Sequence, residues 1–274
     1  MGRRTTPLRT LGALAPVLAI AIGLAVWAAE ATPESRAAAA GETTSPLQLS
    51  AGSISDRPVV VELFTSQGCS SCPPADALLG ELAGEPGLLA LSFHVDYWDY
   101  IGWKDPFASA QFTQRQRDYA AALKLRYVYT PQIVIDGRHD IVGSHRREVT
   151  RAIQKAAKTQ AEVTVTLDAE NGGRAMLSAG TAPQGGATVW LVMFDDSHST
   201  EVARGENRGR ELRDSNVVRE LRELGSWTGE AMEFSLDIST ARAEGRDGCA
   251  VIVQQGRSGP VIGAAVLDLD GVSG

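Results

Sequence analysis

The chain has 274 residues, enough for one large domain or two ordinary ones, and its 43% hydrophobic content excludes a disordered protein. Its 26 Lys and Arg residues against 33 Asp and Glu residues give a net charge of −7, so no broad basic surface is available for nucleic acid. Three cysteines are too few for a disulfide scaffold.

The first 31 residues have the pattern of a secretory signal peptide. A basic start is followed by an uncharged stretch over 11–29, and Ala29-Glu30-Ala31 has the small residues that signal peptidase requires. We therefore predict an exported protein, periplasmic or secreted, with residues 1–31 removed. Contact with the membrane is expected only if this segment stays uncleaved as an anchor. Residues 32–55 have no apolar periodicity and predict a flexible linker.

From residue 56 the pattern becomes that of an α/β domain. A β-branched run at 59–64 predicts a buried strand, and a helix is expected over about 69–83. The next elements are a strand at 88–95, a helix at about 106–123, a hairpin at 132–135 and 141–142, and a helix at about 144–158. The second helix is amphipathic, with Arg115 on its polar side. Because β-α-β-α-β-β-α is the minimal thioredoxin arrangement, residues 56–160 are predicted to form a thioredoxin-like domain.

After residue 160 the pattern is all-β. Residues 163–167 alternate apolar and polar side chains, and 188–194 form a strongly apolar run. Further strands are expected near 234–238, 250–253 and 261–269. Short strands separated by glycine-rich turns predict a β-sandwich-like domain over residues 161–270. Residues 216–224 fit a helix or a strand equally well. Cys249 opens an apolar strand here and is expected to be structural.

Cys69 and Cys72 form a Cys-x-x-Cys pair at a predicted strand-to-helix junction. One helical turn brings the two thiols within disulfide distance, and the free N–H groups at a helix N-terminus stabilise a thiolate. Pro73 and Pro74 fit this position because first-turn N–H groups have no partner within the helix. We predict that Cys69 is the exposed nucleophile and Cys72 the buried resolving thiol. The alternative is a structural disulfide, which an exported location permits.

Pro131 directly precedes the strand predicted at 132–135. In thioredoxin-like folds the proline at this place is cis, and its loop packs against the cysteine pair. A cis X-Pro bond presents the backbone of the preceding residue, here Thr130, to an extended peptide. We therefore expect Pro131 to be cis and to shape the substrate-binding loop. The alternative is an ordinary trans proline that begins a strand.

Several runs of residues resemble one family. They are VELFTSQGCSSCPPAD at 61–76, HVDYWDYIGW at 94–103, YTPQ at 129–132, RGEN at 204–207 and NVVR at 216–219. These runs are similar to domain-of-unknown-function family 1223 (DUF1223), a group of exported thioredoxin-like proteins. The resemblance covers nearly the whole mature chain and implies a thioredoxin-like domain with a β-rich extension, but no substrate. Thioredoxins have a tryptophan before the first cysteine and a proline between the two, whereas this chain has GCSSC, so no redox direction carries over.

His94 and Asp96 end the second predicted strand, at the sheet edge that carries the active face of open α/β folds. Residues two apart in a strand point to the same face, so either group is a candidate proton shuttle for the buried thiol. The alternative is that these groups only make local hydrogen bonds.

Two loops are candidates for contact with partners. Aromatic residues crowd the segment 97–103, as a platform for an unfolded polypeptide or as core packing. The polar segment 204–219 is expected to be a partner surface or to pack back on the first domain.

The predicted function is thiol–disulfide exchange on other exported proteins. Cys69 attacks, Cys72 resolves the mixed disulfide, and Pro131 shapes the binding loop. The expected partners are exported protein thiols or disulfides and a further redox protein of unknown identity, and nucleic acid is not expected. No cofactor is expected because the cysteine pair itself carries the electrons.

Two other functions stay open. The first is a Cu(I)- or Zn-binding chaperone with Cys69, Cys72 and His94 as ligands, because thiolate and imidazole suit these ions. The second is a non-catalytic binding module in which the Cys-x-x-Cys pair is a structural disulfide.

Overall fold

The computed structural model describes residues 57–269. The predicted signal peptide at 1–31 and the linker at 32–55 lie outside the described residues. Within 57–269, no helix combines the length and the apolar character that crossing a membrane requires.

The first half of the described chain has the predicted order of elements. Its strands and helices are β1 (Val59–Thr65), α1 (Pro73–Ala83), β2 (Leu88–His94), α2 (Ala110–Ala122), β3 (Gln132–Ile135), β4 (His139–Val142) and α3 (Arg146–Ala156). Strands β1 and β2 are parallel, whereas β3 runs antiparallel to β1 and pairs with β4 in a hairpin. The predicted order β-α-β-α-β-β-α is therefore confirmed.

The second half is mostly strands, with one short helix, α4 (Ile238–Ala243). The strands are β5 (Val165–Asp168), β6 (Arg174–Leu177), β7 (Ala187–Glu201), β8 (Glu211–Trp227), β9 (Met232–Ser235), β10 (Gly248–Gln255) and β11 (Val261–Asp268). The segment 216–224, which fitted a helix or a strand, lies within β8. The strand predicted through residue 238 is wrong at its end, because Ile238 begins α4.

One mixed sheet crosses the domain boundary predicted near residue 160. Its eight strands follow the order β11-β10-β7-β8-β2-β1-β3-β4, and β5, β6 and β9 form a separate three-stranded sheet. The fold is therefore a mixed α/β fold with a large central sheet and few helices. A separate β-sandwich is not confirmed, because β7, β8, β10 and β11 extend the sheet that β1 and β2 begin.

The two halves of the large sheet meet where β8 runs beside β2. Val217 pairs with Ser92 in parallel, and the side-chain Nδ2 of Asn216 donates to the Ala90 carbonyl at 2.8 Å. The backbone of Asn216 is left-handed, with a φ of 46°, a conformation that asparagine tolerates better than most residues. A side-chain amide thus provides a cross-strand hydrogen bond where regular pairing is short.

Both faces of the large sheet are covered. On one face, α2 packs over β1, β2, β7 and β10 through a shared apolar core. On the other face, α1 and α3 cover β1 and β3, and the small sheet with α4 covers β7 and β10. Loops line the edge of the sheet at which β1 and β2 end, and the cysteine pair lies at this edge.

A closed set of buried polar groups lies beneath α2; we call Glu62, Arg115, Tyr119 and Gln254 the Glu62 cluster. Arg115 donates to both carboxylate oxygens of Glu62, at 2.5 and 2.9 Å, and the Tyr119 hydroxyl donates to Glu62 as well. Gln254 donates to the Tyr119 oxygen at 2.9 Å. Arg115, predicted on the polar side of an ordinary amphipathic helix, is therefore found buried, because Glu62 on β1 supplies a buried partner for its charge.

Candidate functional site

The disulfide between Cys69 and Cys72 lies at the N-terminus of α1, with the two Cα atoms 5.4 Å apart. Cys72 is the N-cap, and its carbonyl accepts the amides of Ala75 and Asp76 at 2.8 and 3.1 Å. Prolines fill the first helical positions, where no N–H partner is lost. The helix therefore directs its positive end toward the sulfurs, which favours a thiolate once the bridge is reduced.

Neither cysteine is exposed. Cys69 and Cys72 both have 0% of their surface accessible, and only Ser70 and Ser71 between them are exposed. The prediction that Cys69 is an exposed nucleophile is therefore wrong for this structure. Burial of Cys72, predicted for the resolving thiol, is confirmed.

The loop between β7 and β8, residues 202–210, packs against the cysteine segment; we call it the 202–210 loop. The buried Asn207 amide donates to the carbonyls of Gln67 and Cys69, at 2.9 and 3.0 Å. The Glu206 carboxylate accepts the Ser70 amide at 3.3 Å. Of the two alternatives for the polar segment, packing back on the first half of the chain is therefore the one observed.

The aromatic segment 97–103 forms a second wall of the site. The Trp103 indole donates to the side-chain oxygen of Gln67 at 3.1 Å, and the Trp98 indole donates to the Thr130 hydroxyl at 2.8 Å. A Cβ atom at Gly68 would lie 3.0 Å from Trp98 Cβ, so a side chain at this position would require a small shift of Trp98. Tyr100 is 83% exposed, which leaves its ring available to a partner.

Pro131 borders the first turn of α1. The peptide bond from Thr130 to Pro131 is cis, as predicted. The Pro131 carbonyl accepts the Gly143 amide at 2.9 Å, and a Cβ atom at Gly143 would lie 3.1 Å from Pro131 Cβ and 2.9 Å from Ala75 Cβ. The Pro131 loop, Gly143 and the start of α1 are thus packed together.

Four buried titratable side chains gather at the end of β1 and β2; we call Asp76, His94, Asp105 and Asp214 the His94 cluster. His94 Nδ1 lies 2.8 Å from Asp105, and its Nε2 lies 3.9 Å from Asp214. Asp76 accepts the Thr65 hydroxyl at 2.7 Å. His94 Nε2 is buried without a hydrogen-bond partner in the structure.

Burial and mutual charge shift the pKa values of this cluster. Burial lowers the pKa of His94, but the nearby carboxylates, Asp105 above all, raise it by more than burial lowers it. The resulting pKa is about 9. Burial and the Asp214 carboxylate raise the pKa of Asp76 to about 8. Burial opposes ionisation of Asp105, yet His94 and backbone amides hold its pKa below the ordinary value. At neutral pH the cluster therefore holds an ion pair between His94 and Asp105 and a proton on Asp76.

Asp96 does not belong to this cluster. Strand β2 ends at His94, and Asp96 accepts the Thr113 hydroxyl of α2 at 2.6 Å. The expectation that His94 and Asp96 point to the same face is therefore wrong, because the strand does not continue far enough. Sequence analysis missed Asp76, Asp105 and Asp214 as site residues. Asp76 had a usable signal, four residues after Cys72 and so on the same face of α1, whereas Asp214 had none.

Gln67 joins the cysteine segment to its surroundings. Its backbone amide donates to Asp105 and its side-chain amide donates to Asp214, each at 2.8 Å. Its backbone carbonyl accepts from Asn207, and its side-chain oxygen accepts from Trp103. One residue, two positions before Cys69, thus contacts the His94 cluster, the aromatic wall and the 202–210 loop.

Both sulfurs of the metal set predicted from Cys69, Cys72 and His94 are in the disulfide, and His94 faces Asp105. In the described part of the chain, no group of three or more His, Cys, Asp or Glu side chains has the arrangement of a metal site. Binding of Cu(I) or Zn therefore stays a prediction for the reduced protein.

Cys249 lies away from the site, in the core between the two sheets. It is fully buried, and burial raises the pKa of its thiol to about 12. A buried thiol with so high a pKa is inert, in accord with the structural role expected for it.

Comparisons with known proteins place the chain among related sequences. Residues 60–254 match the profile of a family described as a protein of unknown function, DUF1223. A crystal structure of a protein from Agrobacterium tumefaciens is similar, with 31% identity over 78% of this chain and 96% of the other, and a TM-score of 0.68. HBP35 of Porphyromonas gingivalis shares the fold at 12% identity, with a TM-score of 0.53 over 79% of this chain and 76% of that one. Comparison with curated proteins finds no match.

Proposed function

This chain belongs to the DUF1223 family, and we propose that it is an exported, thioredoxin-like protein that exchanges thiols and disulfides with other exported proteins. The observation that carries this proposal is the position of the Cys69–Cys72 disulfide. It lies at the N-terminus of α1, the helix that connects the parallel strands β1 and β2, and the cis proline Pro131 packs near the first turn of the same helix. A disulfide that serves only to close a loop has no need of a helix terminus that stabilises thiolate.

In the oxidising direction, a substrate thiolate attacks the sulfur of Cys69. The bond between the two cysteine sulfurs breaks, a mixed disulfide forms, and Cys72 leaves as a thiolate. A second substrate thiolate then attacks the substrate sulfur of the mixed disulfide and releases Cys69. The substrate loses two electrons and the cysteine pair gains them; the reverse sequence reduces a substrate disulfide.

A buried Cys72 thiolate requires a proton when it leaves, and a base when it attacks. Asp76 lies one helical turn after Cys72 and, with a pKa of about 8, holds a proton at neutral pH. We assign the proton transfer to Asp76 together with His94, whose positive charge lies in the same cluster. Asp96, a candidate on the basis of sequence, is left out because it is bonded to Thr113.

The reduction potential of the Cys69–Cys72 pair tests the proposal. Differential alkylation in glutathione buffers is expected to give a value between about −120 and −270 mV, the range of exchange proteins. A Cys249→Ala variant removes the third thiol from the measurement. In Cys72→Ser, Cys69 is expected to accumulate as a mixed disulfide with glutathione. A potential below about −300 mV would support the structural disulfide instead.

A further inference from the structure

The disulfide that the proposed function requires is closed off from solvent. Both cysteines are fully buried, whereas exchange requires an attacking thiolate to reach a sulfur atom. The 202–210 loop, far along the chain from the cysteine segment, packs against it, because Asn207 is bonded to the carbonyls of Gln67 and Cys69. The site therefore cannot react in this arrangement, and a neighbouring segment has to move first.

The 202–210 loop is built as a unit of its own. The Val202 amide donates to the Arg210 carbonyl at 2.9 Å, and the Gly209 amide donates to the Val202 carbonyl at 2.8 Å. Arg210 also donates to the side-chain oxygen of Asn207 at 3.0 Å. These bonds lie within the loop, so they persist if the loop lifts away from the cysteines.

The bonds that would break on lifting come from two side chains. Asn207 loses its hydrogen bonds to the carbonyls of Gln67 and Cys69, and Glu206 loses its hydrogen bond from the amide of Ser70. Gly205 also moves away from the aromatic segment 97–103. It lies so close to Trp103 that a Cβ atom at Gly205 would be 3.2 Å from Trp103 Cβ. A few hydrogen bonds, each of modest net strength, therefore hold the 202–210 loop against the cysteine segment.

The groups that this movement frees are backbone groups. The carbonyls of Gln67 and Cys69 and the amide of Ser70 then become able to bond the backbone of an incoming polypeptide, although the Cys69 carbonyl also keeps its bond from the Cys72 amide. A polypeptide thiol can replace the lost bonds as it enters, whereas a small dithiol such as dithiothreitol replaces them poorly.

From this geometry, and resting on the proposed exchange activity, we propose that the 202–210 loop is a gate over the Cys69–Cys72 disulfide, closed by Asn207 and Glu206 and opened in exchange for an extended polypeptide thiol.

The rate of disulfide reduction under native conditions tests the gate. Dithiothreitol supplies two electrons and two protons, the disulfide becomes two thiols, and the reagent leaves as its cyclic disulfide. Asn207→Ala is expected to accelerate this reaction about 10-fold, because two hydrogen bonds of the closed state are lost. Glu206→Ala, at an exposed position, is expected to accelerate it about 3-fold. Arg208→Ala, at an exposed position in the same turn, is the control and should leave the rate unchanged.

Cys249 reports whether a variant stays folded during the experiment, because its buried thiol is alkylated only after unfolding. Faster reduction with Cys249 still protected supports the gate. In the wild type, so does a larger rate for an extended peptide with two cysteines, which supplies the same two electrons and leaves as its own disulfide, than for dithiothreitol. Equal rates for wild type, Asn207→Ala and Glu206→Ala would overturn the gate and leave the exchange activity standing. Reduction only together with alkylation of Cys249 in every variant would overturn both.

Discussion

The Glu62 cluster and the His94 cluster are both buried, but their charges are balanced differently. In the Glu62 cluster one carboxylate meets one guanidinium, and Tyr119 and Gln254 complete the hydrogen bonding. In the His94 cluster three carboxylates surround one imidazole, and His94 Nε2 has no hydrogen-bond partner in the structure.

This difference separates a structural network from one that can transfer protons. A buried ion pair whose hydrogen bonds are all satisfied adds rigidity. Burial, together with the neighbouring Asp214 carboxylate, raises the pKa of Asp76 to about 8, so Asp76 holds a proton near neutral pH. The network that lies one helical turn from Cys72 is the one with the proton to give.

The largest effect is expected from removing the cation of the Glu62 cluster. Arg115→Met leaves the Glu62 carboxylate buried without its cation, which should lower the free energy of unfolding by about 3–5 kcal/mol in a urea titration. The double variant Glu62→Leu/Arg115→Met should regain most of this loss, because no buried charge remains. A double variant as unstable as the single one would show that shape, rather than charge, dominates there.

A smaller effect is expected from titrating the His94 cluster. The pKa of His94 is raised from 6.5 to about 9, so its stabilisation is complete below pH 6.5 and is lost as the pH rises through 9. The pKa of Asp76 is raised from 3.8 to about 8, so its contribution is lost between those values. Asp105 has a lowered pKa and acts only in acid. The melting temperature should fall by roughly 10 °C between pH 6.5 and 9.

The variant Asp76→Asn serves as the control for this titration. Asparagine cannot ionise, and its introduction removes one of the carboxylates that raise the pKa of His94. The fall in melting temperature, followed by circular dichroism, should therefore be clearly smaller than in the wild type. Equal falls in the two proteins would place the titration outside the His94 cluster.

The smallest effect is expected at an exposed ion pair, which sets the baseline for both clusters. Arg146 on α3 donates to both oxygens of Glu81 on α1, each at 2.6 Å, but both side chains are exposed. Glu81→Gln should lower the free energy of unfolding by less than about 1 kcal/mol, because solvent screens the pair. A loss as large as that of Arg115→Met would mean that burial does not explain the difference.

Part of the site could be predicted from local patterns. The position of Cys69 and Cys72 before a helix follows from the apolar strand that precedes them and the prolines that follow. His94 was found because a strand ends there. The exposure of Cys69 was mispredicted, since its surroundings include segments far along the chain, such as Asn207, which bonds the Cys69 carbonyl from 138 positions away.

The amino-acid sequence by itself determined the family, the order of elements through α3 and the cysteine pair at the start of α1, because apolar periodicity and first-turn chemistry are local properties. Only the tertiary structure decided that β8 lies beside β2. That placement brings Asp214 to His94 and the 202–210 loop onto the cysteines. Strand patterns reveal which residues face a core, but not which strand becomes the neighbour, since pairing depends on interactions between segments far apart in the chain.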